Sequence, residues 1–301
     1  MDILVIGSSN TDMVVKARSL PTPGETILGG DFFMNPGGKG ANQAVAAARL
    51  GGNVTFVTKV GNDLFGNQAI EHFKEENIET KFCLIDSKNP SGVALITVDA
   101  KSENCIVVAS GSNNNLLPID LEPLKDLIAK SGILLIQLEI PLSTVITAAR
   151  QAHVAGSKVI LNPAPACDLP NELFSTLFLI TPNETEASLL TNIEVKDIET
   201  ATQAAQALKK KGVRNVIITM GSKGALLVAE EELIFIPAEK VVAIDTTAAG
   251  DVFNGALAVA ISQNISLKNA VIFANKAAAI SVTRMGAQLS APYLTEIINL
   301  T

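Results

Sequence analysis

The chain has 301 residues, a formal net charge of −7 and a hydrophobic share of 48%. A nucleic-acid-binding surface needs a basic footprint, so this acidic composition argues against a nucleic-acid partner. The apolar share is large enough for a sizeable core, and the lack of Trp together with a single Tyr makes that core aliphatic and rich in Ala.

The three cysteines, Cys83, Cys105 and Cys167, lie far apart and have no C-x-x-C spacing. This pattern favours reduced thiols over disulfides or a zinc site, as in a reducing cytosol. The first residues read as a strand, because they contain neither a basic segment nor a long apolar one. No run approaches the ~20 apolar residues of a membrane span. We therefore expect a cytoplasmic location and no membrane partner.

Short aliphatic runs alternate with Ala-rich or amphipathic stretches through most of the chain. Predicted strands cover Ile3–Ile6, Val54–Val60, Ile133–Leu138, Lys158–Leu161, Phe178–Thr181 and Val216–Thr219. Predicted helices cover Ala41–Leu50, Gln68–Glu76, Thr144–Ala155 and Glu199–Lys210. This alternation is typical of βαβ units, and continuous apolar strands indicate burial on both faces. The sequence predicts an α/β fold with a doubly wound, mostly parallel sheet flanked by helices.

Two segments interrupt the alternation, and both hold strand-like runs without a helix between them. The first runs from Met13 to Phe33 and includes Thr26-Ile27-Leu28; the second runs from Lys81 to Ala109 and contains Phe82–Ile85, Val93–Val98 and Cys105–Val108. Strands without intervening helices form antiparallel hairpins. We expect one domain, 1–301, with a small antiparallel β-sheet lid from about 13–35 and 81–110. One face of the lid would cover a ligand and the other a second subunit, giving a homodimer; packing on the chain's own core is the alternative.

A glycine-rich stretch, Asn35-Pro36-Gly37-Gly38-Lys39-Gly40-Ala41-Asn42, comes just before a predicted helix. Its glycines permit close approach of the backbone to a ligand, and Lys39 and Asn42 offer donors for sugar hydroxyls. The stretch is not a Walker loop, because Lys39 is followed by Gly. The first strand is not followed by G-x-G-x-x-G, which disfavours a dinucleotide-dependent oxidoreductase.

Small residues also precede a helix in the stretch Asp245-Thr246-Thr247-Ala248-Ala249-Gly250-Asp251. Free amides at a helix start form an anion site, and these residues leave it unobstructed. Asp251 places a carboxylate beside that site, which suits a base that accepts a proton from an attacking hydroxyl during phosphoryl transfer. Taken alone, Asp251 also fits an ordinary first-turn acid.

Together the two stretches resemble the two signature motifs of the ribokinase family of carbohydrate kinases. The similarity runs from the first strand to Ala287-Gln288 and covers essentially the whole chain. The resemblance implies an enzyme that transfers the γ-phosphoryl group of ATP to the primary hydroxyl of ribose, giving ribose 5-phosphate. Asp251 corresponds to the general base, and the anion hole corresponds to Ala248, Ala249, Gly250 and Asp251.

The resemblance also implies a sugar pocket made of Asn10, Asp12, Gly38, Lys39, Asn42, Glu139 and Asp251. Asn10, Asp12 and Glu139 follow predicted strands at their carboxyl ends, where ligands bind in open α/β sheets. For Glu139, an acid on the rim of the sheet that contacts no sugar is an equally good interpretation of its position.

ATP and Mg²⁺ are implied beside this pocket. The corresponding nucleotide contacts are Asn183, Glu186, Thr219, Gly221, Ser222, Gly224, Gly250 and Asn275. Asn183 and Glu186 form an Asn-x-x-Glu motif, which in the family helps position magnesium and phosphates. The neighbouring Pro182 and Glu184 also fit the beginning of a helix, and both interpretations can hold together. Asn275 corresponds to a contact at the adenine end.

A monovalent cation site, usually for K⁺, is implied next to the anion hole. One half corresponds to Asp245 and Thr247, and the other half, acting largely through backbone carbonyls, to Ser281, Arg284, Gly286 and Ser290. Ligation by oxygen alone suits a hard cation.

Two alternatives to ribose phosphorylation stay open. A relative with another acceptor, such as fructose, a nucleoside or a keto-deoxy sugar acid, would keep the same fold and base. A non-catalytic sugar-binding regulator on this fold would be expected to lose Asp251 or the loop 248–250, and both are present.

Overall fold

The computed structural model describes residues 1–101, 103–230 and 232–298 of the chain. The strands of its main sheet are Ile3–Ile6 (β1), Val54–Val57 (β4), Ile133–Ile136 (β9), Lys158–Leu161 (β10), Leu179–Ile180 (β11), Asn215–Thr219 (β12), Gly224–Val228 (β13) and Leu233–Pro237 (β14). They follow the order β14-β13-β12-β11-β10-β9-β1-β4. Neighbours from β4 to β12 run parallel, and β13 and β14 add an antiparallel edge.

Alternate side chains of the central strands enter two separate hydrophobic cores, one on each face of the sheet. Ile3 and Val5 of β1 pack into one core, and Leu4 and Ile6 pack into the other. The residues of β9 divide in the same way. Burial on both faces explains why these strands are continuously aliphatic. The predicted doubly wound, mostly parallel sheet is confirmed.

Helices cover both faces of this sheet. They are Lys39–Arg49 (α1), Leu64–Glu75 (α2), Lys125–Lys130 (α3), Leu142–Val154 (α4), Asn171–Phe174 (α5), Glu184–Thr191 (α6), Ile198–Lys210 (α7), Ala249–Ser262 (α8), Leu267–Ser281 (α9) and Leu294–Ile298 (α10). α8 is buried from Asp251 to Ser262. Across the three described ranges, no helix combines the length and the apolar character that crossing a membrane requires.

A second, four-stranded sheet stands apart from the main one. Its strands are Asn10–Lys16 (β2), Phe32–Gly37 (β3), Gly92–Val98 (β7) and Asn104–Ala109 (β8), in the order β3-β2-β7-β8. The two outer pairs are antiparallel, as expected, but the central pair β2–β7 is parallel, because a long connection joins these two strands. The division into one domain with an inserted lid stays a prediction; residue 102 of the lid range and residues 299–301 lie outside the described residues.

Three predicted strands differ from the structure. Val54–Val60 is divided at Thr58, because the chain leaves the main sheet there and continues as Lys59–Gly61 (β5). Phe82–Ile85 does not join the lid sheet: Leu84–Asp86 (β6) pairs with β5 in a separate two-stranded sheet. Residues 26–28 form no strand, and the partner of β2 is instead β3, which runs into the glycine-rich stretch.

The carboxyl ends of neighbouring parallel strands meet at one edge of the main sheet. β1 is followed there by Ser8, β9 by Gln137, β10 by Asn162 and β11 by Thr181. Open α/β sheets bind ligands at this edge. Asn10, the first residue of the lid sheet, follows β1 after three residues, so the lid begins where the ligand edge lies.

Candidate active site

Asp251 lies in the first turn of α8 and is 5% exposed. Its carboxylate oxygens accept hydrogen bonds from the side-chain amides of Asn42 and Gln43 on α1, each over 2.9 Å. Burial raises the pKa of Asp251, although Lys39 and the two amides act in the opposite direction. A raised pKa brings a carboxylate closer to the operating pH of a general base.

The helix start beside Asp251 is open. Ala248, the N-cap residue of α8, has φ 59°, a left-handed conformation that persists in a non-glycine residue only where its surroundings fix it. Its methyl side chain has no acceptor and so cannot cap the helix. A Cβ built at Gly250 would meet no described atom within 4 Å. The Ala249 N–H already donates to Thr246 O over 3.3 Å, so the free space at this helix start lies beside the exposed Gly250, where the predicted anion hole would be.

Asn10 and Asp12 lie two residues apart on β2 and so share one face of that strand. The carboxylate of Asp12 rests against the backbone of Gly37, where a Cβ would lie 2.4 Å from both of its oxygens. Burial and the negative charges of Glu139 and Asp251 raise the pKa of Asp12 to about 6. Asp12 is thus a hydrogen-bond acceptor that is partly desolvated before any ligand arrives.

The glycine-rich stretch turns sharply into α1. Gly38 has φ 90°, a conformation that favours glycine. The next residue, Lys39, donates its backbone N–H to Glu139 Oε2 over 2.9 Å, and the Ser8 hydroxyl donates to the same oxygen over 2.6 Å. Glu139 therefore holds the loop against the ends of β1 and β9. Its predicted contact with a sugar stays a prediction.

The Lys39 ammonium lies among acidic groups. Asp251 is the main cause of its raised pKa, which burial opposes and which Glu139, Glu186 and Asp12 reinforce. Lys39 is therefore protonated at neutral pH and partly neutralises carboxylates that would otherwise repel one another.

A cavity of about 200 Å³ opens between the lid and the ligand edge of the main sheet. Asn10, Asn113 and Glu139 supply polar side chains to its wall, and Val108 of β8 forms part of its roof. Pockets for drug-sized ligands measure about 300–1,000 Å³, so this cavity suits a smaller molecule with several hydroxyl groups.

The proposed nucleotide side begins at α6. Asn183 caps this helix by accepting the N–H of Glu186 over 2.8 Å, and the Glu186 carboxylate accepts the N–H of Asn183 over 2.9 Å. The helix-start interpretation of this motif is therefore confirmed. Thr219 donates its N–H to Pro182 O over 2.9 Å, which brings the ends of β11 and β12 together. Carboxylate and amide oxygens are suitable Mg²⁺ ligands, so Asn183 and Glu186 fit the ion chemically.

The loop after β12 is exposed and tightly turned. Gly221 has φ 54° and Gly224 has φ 126°, and Ser222 between them is exposed. Asn275 is buried on α9, and its amide donates to the carbonyl oxygens of Ile236 and Pro237, over 3.4 and 3.3 Å. Asn275 thus ties α9 to β14, and its predicted contact with adenine stays a prediction.

The two halves of the predicted cation site are joined through Asp245. One of its carboxylate oxygens accepts the N–H of Thr247 and the other accepts the N–H of Gly286, each over 2.9 Å. Partial burial would raise the pKa of Asp245, but hydrogen bonds from these two residues lower it. Among the described residues, no group of three or more His, Cys, Asp or Glu side chains is arranged to hold a metal ion.

The remaining predicted cation ligands show how the second half is built. The Ser281 and Ser290 side chains are buried and donate to the carbonyl oxygens of Ala278 and Ala287, each over 2.8 Å. The Arg284 guanidinium is engaged by Glu296 and has no acceptor, so only the backbone carbonyl oxygen of Arg284 could bind a cation.

A family model described as "pfkB family carbohydrate kinase" matches residues 1–294. The chain belongs to this family. The predicted enzyme class, an ATP-dependent carbohydrate kinase with a ribokinase-like fold, is thereby confirmed. The match covers both sheets, so the lid strands as well as the main sheet fall inside the pfkB family region.

Several similar proteins are named ribokinase or deoxyribokinase. A Haemophilus influenzae protein named "Ribokinase" is 45% identical over 98% of this chain and 97% of its own length. The solved structure titled "Structure of Arabidopsis thaliana Ribokinase complexed with Ribose and ATP" is 32% identical, with a TM-score of 0.94 over 99% of this chain and 98% of that one. A Salmonella typhi "Deoxyribokinase" is 38% identical over 98% of this chain and 97% of its length.

Sequence reasoning missed the side chains that hold the predicted ligand groups. Asn113 donates to the Asn10 side chain over 2.8 Å, Ser8 supports Glu139, and Gln43 supports Asp251. The clearest signal in the sequence was Gln43, a polar residue within an Ala-rich stretch. The structure shows that it is fully buried on α1. A pfkB family motif names groups that face ligands, whereas these supporting contacts appear only once distant segments are brought together.

Proposed function

We propose that the chain transfers the γ-phosphoryl group of ATP to the primary hydroxyl of D-ribose, giving ribose 5-phosphate and ADP. One observation carries the proposal: a buried carboxylate with a raised pKa, Asp251, stands in the first turn of a helix whose start is uncapped and open. The relatives named for ribose phosphorylation support the choice of acceptor.

The reaction assigned to this geometry is an in-line displacement. The sugar hydroxyl gives its proton to an Asp251 carboxylate oxygen as its oxygen bonds to the γ-phosphorus. The bond from that phosphorus to the β–γ bridging oxygen breaks, and ADP leaves. The transition state is loose, so the base need not be strong and its position matters more. The amides at residues 248–251 would stabilise the charge on the phosphoryl oxygens.

Sugar binding is assigned to acceptors and donors of the candidate site, of which Asn10 and Glu139 line the cavity. Asn10, Asp12 and Glu139 offer acceptors to hydroxyl groups, and Lys39 and Asn42 offer donors. Asn42 is already engaged with Asp251, so it would connect the bound sugar with the base.

The nucleotide is assigned to Asn183, Glu186, Thr219, Gly221, Ser222, Gly224, Gly250 and Asn275. When bound, Mg²⁺ neutralises charge on the β- and γ-phosphates, and Asn183 and Glu186 are the residues that would hold or orient it. K⁺ activation is assigned to Asp245, Thr247, Ser281, Arg284, Gly286 and Ser290. Its support is the shared Asp245 carboxylate, which binds amides from both halves of the site.

A homodimer through the lid belongs to the same proposal. Apolar side chains of the lid sheet are exposed in the single chain, including Leu95 at 53%, Ile106 at 50% and Val107 at 62%. The expectation that both faces of the lid are covered is therefore not met within one chain, and a second subunit would supply the cover. A cytoplasmic location stays a prediction.

A substrate panel tests the proposed function. ATP consumption is measured with D-ribose, 2-deoxy-D-ribose, fructose, a nucleoside and a keto-deoxy sugar acid, each with and without K⁺. We expect the highest kcat/KM with ribose and a clear increase with K⁺. Deoxyribose is the second candidate, because of the 38% identical relative. Absence of ribose turnover would overturn the assignment of the acceptor.

A further inference from the structure

A chain of buried side-chain amides is hydrogen-bonded to the Asp251 carboxylate. Gln43 stands at its centre, and its Nε2 donates to Asp251 Oδ1 over 2.9 Å and to Asn162 Oδ1 over 3.0 Å. Its Oε1 accepts a hydrogen bond from Gln137 Nε2 over 2.6 Å. Both amide hydrogens of Gln43 are thus used, and its carbonyl oxygen is engaged as well, which leaves the amide a single orientation.

The same chain continues to the helix start that forms the anion hole. Asn162 donates to Thr181 O over 3.4 Å, and the Thr181 hydroxyl donates to Asn254 Oδ1 over 2.6 Å. Asn254 in turn donates to Gly250 O over 2.8 Å. The base and the peptide next to it are therefore attached to one continuous set of hydrogen bonds that crosses β10, β11 and α8.

The side chains of this set are almost wholly buried. Gln43 and Gln137 are 0% exposed, and Thr181 and Asn254 are each 1% exposed. The polar atoms of the Gln43 side chain are already bonded within the protein. It is therefore unavailable to a sugar, unlike Asn42, its neighbour in sequence.

We propose that Gln43 is a positioning residue for the phosphoryl transfer: through its hydrogen bond to Oδ1 it fixes the rotamer of Asp251, and Gln137 fixes Gln43. This inference rests on the proposed function only in taking Asp251 as the base. Two donors, from Asn42 and Gln43, hold one oxygen each, so the carboxylate cannot rotate while it waits for the substrate. Hydrogen bonds to an ionised group are stronger than neutral ones, and buried groups left without a partner are costly.

Charged groups from every neighbouring element also act on this carboxylate. Lys39 from the glycine-rich stretch favours its ionised form, whereas Glu139 after β9 disfavours it, and Asp12 of β2 and Glu186 of α6 lie close enough to interact with it. Loss of the Gln43 donor removes one of the stabilising contacts to the charged form while leaving all of these charges in place.

The test is Gln43→Met, which keeps an unbranched side chain of similar length and removes the donor. We expect kcat with the accepted sugar to fall about 10- to 100-fold, and the KM for that sugar to change by less than about threefold. The acid limb of log kcat against pH should move upward by about one pH unit, because the ionised base loses a donor. Rates are normalised to the folded fraction measured by circular dichroism.

Gln137→Met is the second variant, and it keeps the experiment decisive if Gln43→Met does not fold. It removes the support of Gln43 without touching Asp251, and it also removes Gln137 Oε1, a buried acceptor that has no hydrogen-bond partner among the described residues. We expect the same direction of change in kcat and in the acid limb, with a fall of about 3- to 10-fold, since the effect is transmitted through one more side chain.

Gln151→Met is the matched control, because Gln151 is a partly buried glutamine on α4, away from this set. Its kcat and pH profile should equal those of the wild type. Unchanged kcat and acid limb in both Gln43→Met and Gln137→Met would overturn the proposal, and so would a raised KM with unchanged kcat. If the wild type phosphorylates another sugar instead of ribose, the proposed acceptor fails while the same variants, assayed with that sugar, still decide the role of Gln43.

Discussion

Two regions that carry residues of the candidate site differ in how far their apolar side chains are buried. Residues 40–47 of α1 and 251–262 of α8 are buried, and a Cβ at Gly255 would lie 2.8 Å from Ala46 Cβ and Gln43 O, so the helices are in direct contact. On the lid, all residues of β8 are exposed, including three consecutive aliphatic ones, Ile106, Val107 and Val108. The apolar side chains of the first region are buried within one chain, whereas those of the second remain exposed.

This difference indicates that the two regions have different roles. Asp251 sits on the buried interface, where packing and hydrogen bonds fix its position before a substrate arrives. The lid contributes Asn10 and Asp12 near the beginning of β2, and the apolar residues of its edge strand β8 are exposed. Changes at the interface should therefore affect the chemical step, and changes at the outer lid should affect assembly.

The largest effect is expected from Asp251→Asn. The variant keeps the volume of the side chain but cannot accept the proton, so kcat should fall about 10²- to 10⁴-fold. Sugar binding, measured by calorimetry, should persist, because the other predicted sugar ligands are unchanged. Turnover near that of the wild type would contradict the assignment of Asp251 as the base. It would also show that the α1–α8 interface does not act by positioning this carboxylate.

Asp12→Asn should separate stability from function on the inner lid. The pKa of Asp12 is raised to about 6 in the folded chain, by burial first and then by Glu139 and Asp251, so its ionisation destabilises the fold. The cost is absent below about pH 4, appears as the pH rises and is complete above about pH 6. The variant should therefore be more stable at pH 8 by up to about 3 kcal/mol, and no more stable near pH 4.

The measurement for Asp12→Asn is urea unfolding of the ligand-free protein at these two pH values. The KM for the sugar should rise at the same time, since an acceptor is lost. Equal or lower stability of the variant at pH 8 would show that Asp12 is not under electrostatic strain in the folded protein.

Gly255→Ala tests how closely α1 and α8 must approach. The added methyl group would overlap Ala46 Cβ, Gln43 O and Ala47 N, so the helices must separate. We expect a loss of about 1–3 kcal/mol in the free energy of unfolding and a lower kcat, because Gln43 moves away from Asp251. Gly30→Ala is the control, since its nearest contact would be an ordinary 3.7 Å. If Gly255→Ala is less stable but keeps the wild-type kcat, the close packing of α1 and α8 is not required for catalysis.

The smallest kinetic effect is expected from Val107→Lys on β8, where Val107 pairs with Leu95. A charge on this exposed apolar face should convert the proposed dimer to a monomer and change kcat by only a few-fold. Light scattering gives the mass of each form. Val154→Lys is the control, because Val154 is 81% exposed at the end of α4, outside the lid. A monomeric wild type would contradict the lid-mediated dimer.

Sequence patterns predicted the interior of the main sheet because burial on both faces leaves an unbroken aliphatic run, as in Ile3–Ile6. They did not predict the lid pairing, since the parallel contact of β2 with β7 joins segments about 80 residues apart. They also missed β3, because Asn35–Gly37 read as part of a loop. They did not predict the hairpin of β13 and β14, which directly follows a turn that contains two glycines, Gly221 and Gly224.

The candidate site divides in the same way. Residues with a ligand-facing role stand in short local motifs, so Asp251 and Lys39 could be singled out from the sequence. Gln43, Gln137 and Asn162 act on one another across three elements, and no local pattern links them. The approach of Asp245 to Gly286 is likewise a long-range contact, although the resemblance to a known family indicated both residues.

The most direct test of the account is a crystal structure with ribose and a non-hydrolysable ATP analogue bound, and in it one distance. We expect the primary hydroxyl oxygen within about 2.6–3.2 Å of an Asp251 carboxylate oxygen, with the γ-phosphorus in line behind it. The residues 248–251 should turn their amides toward the terminal phosphate. A primary hydroxyl beyond hydrogen-bonding reach of Asp251, with another side chain in its place, would contradict the account.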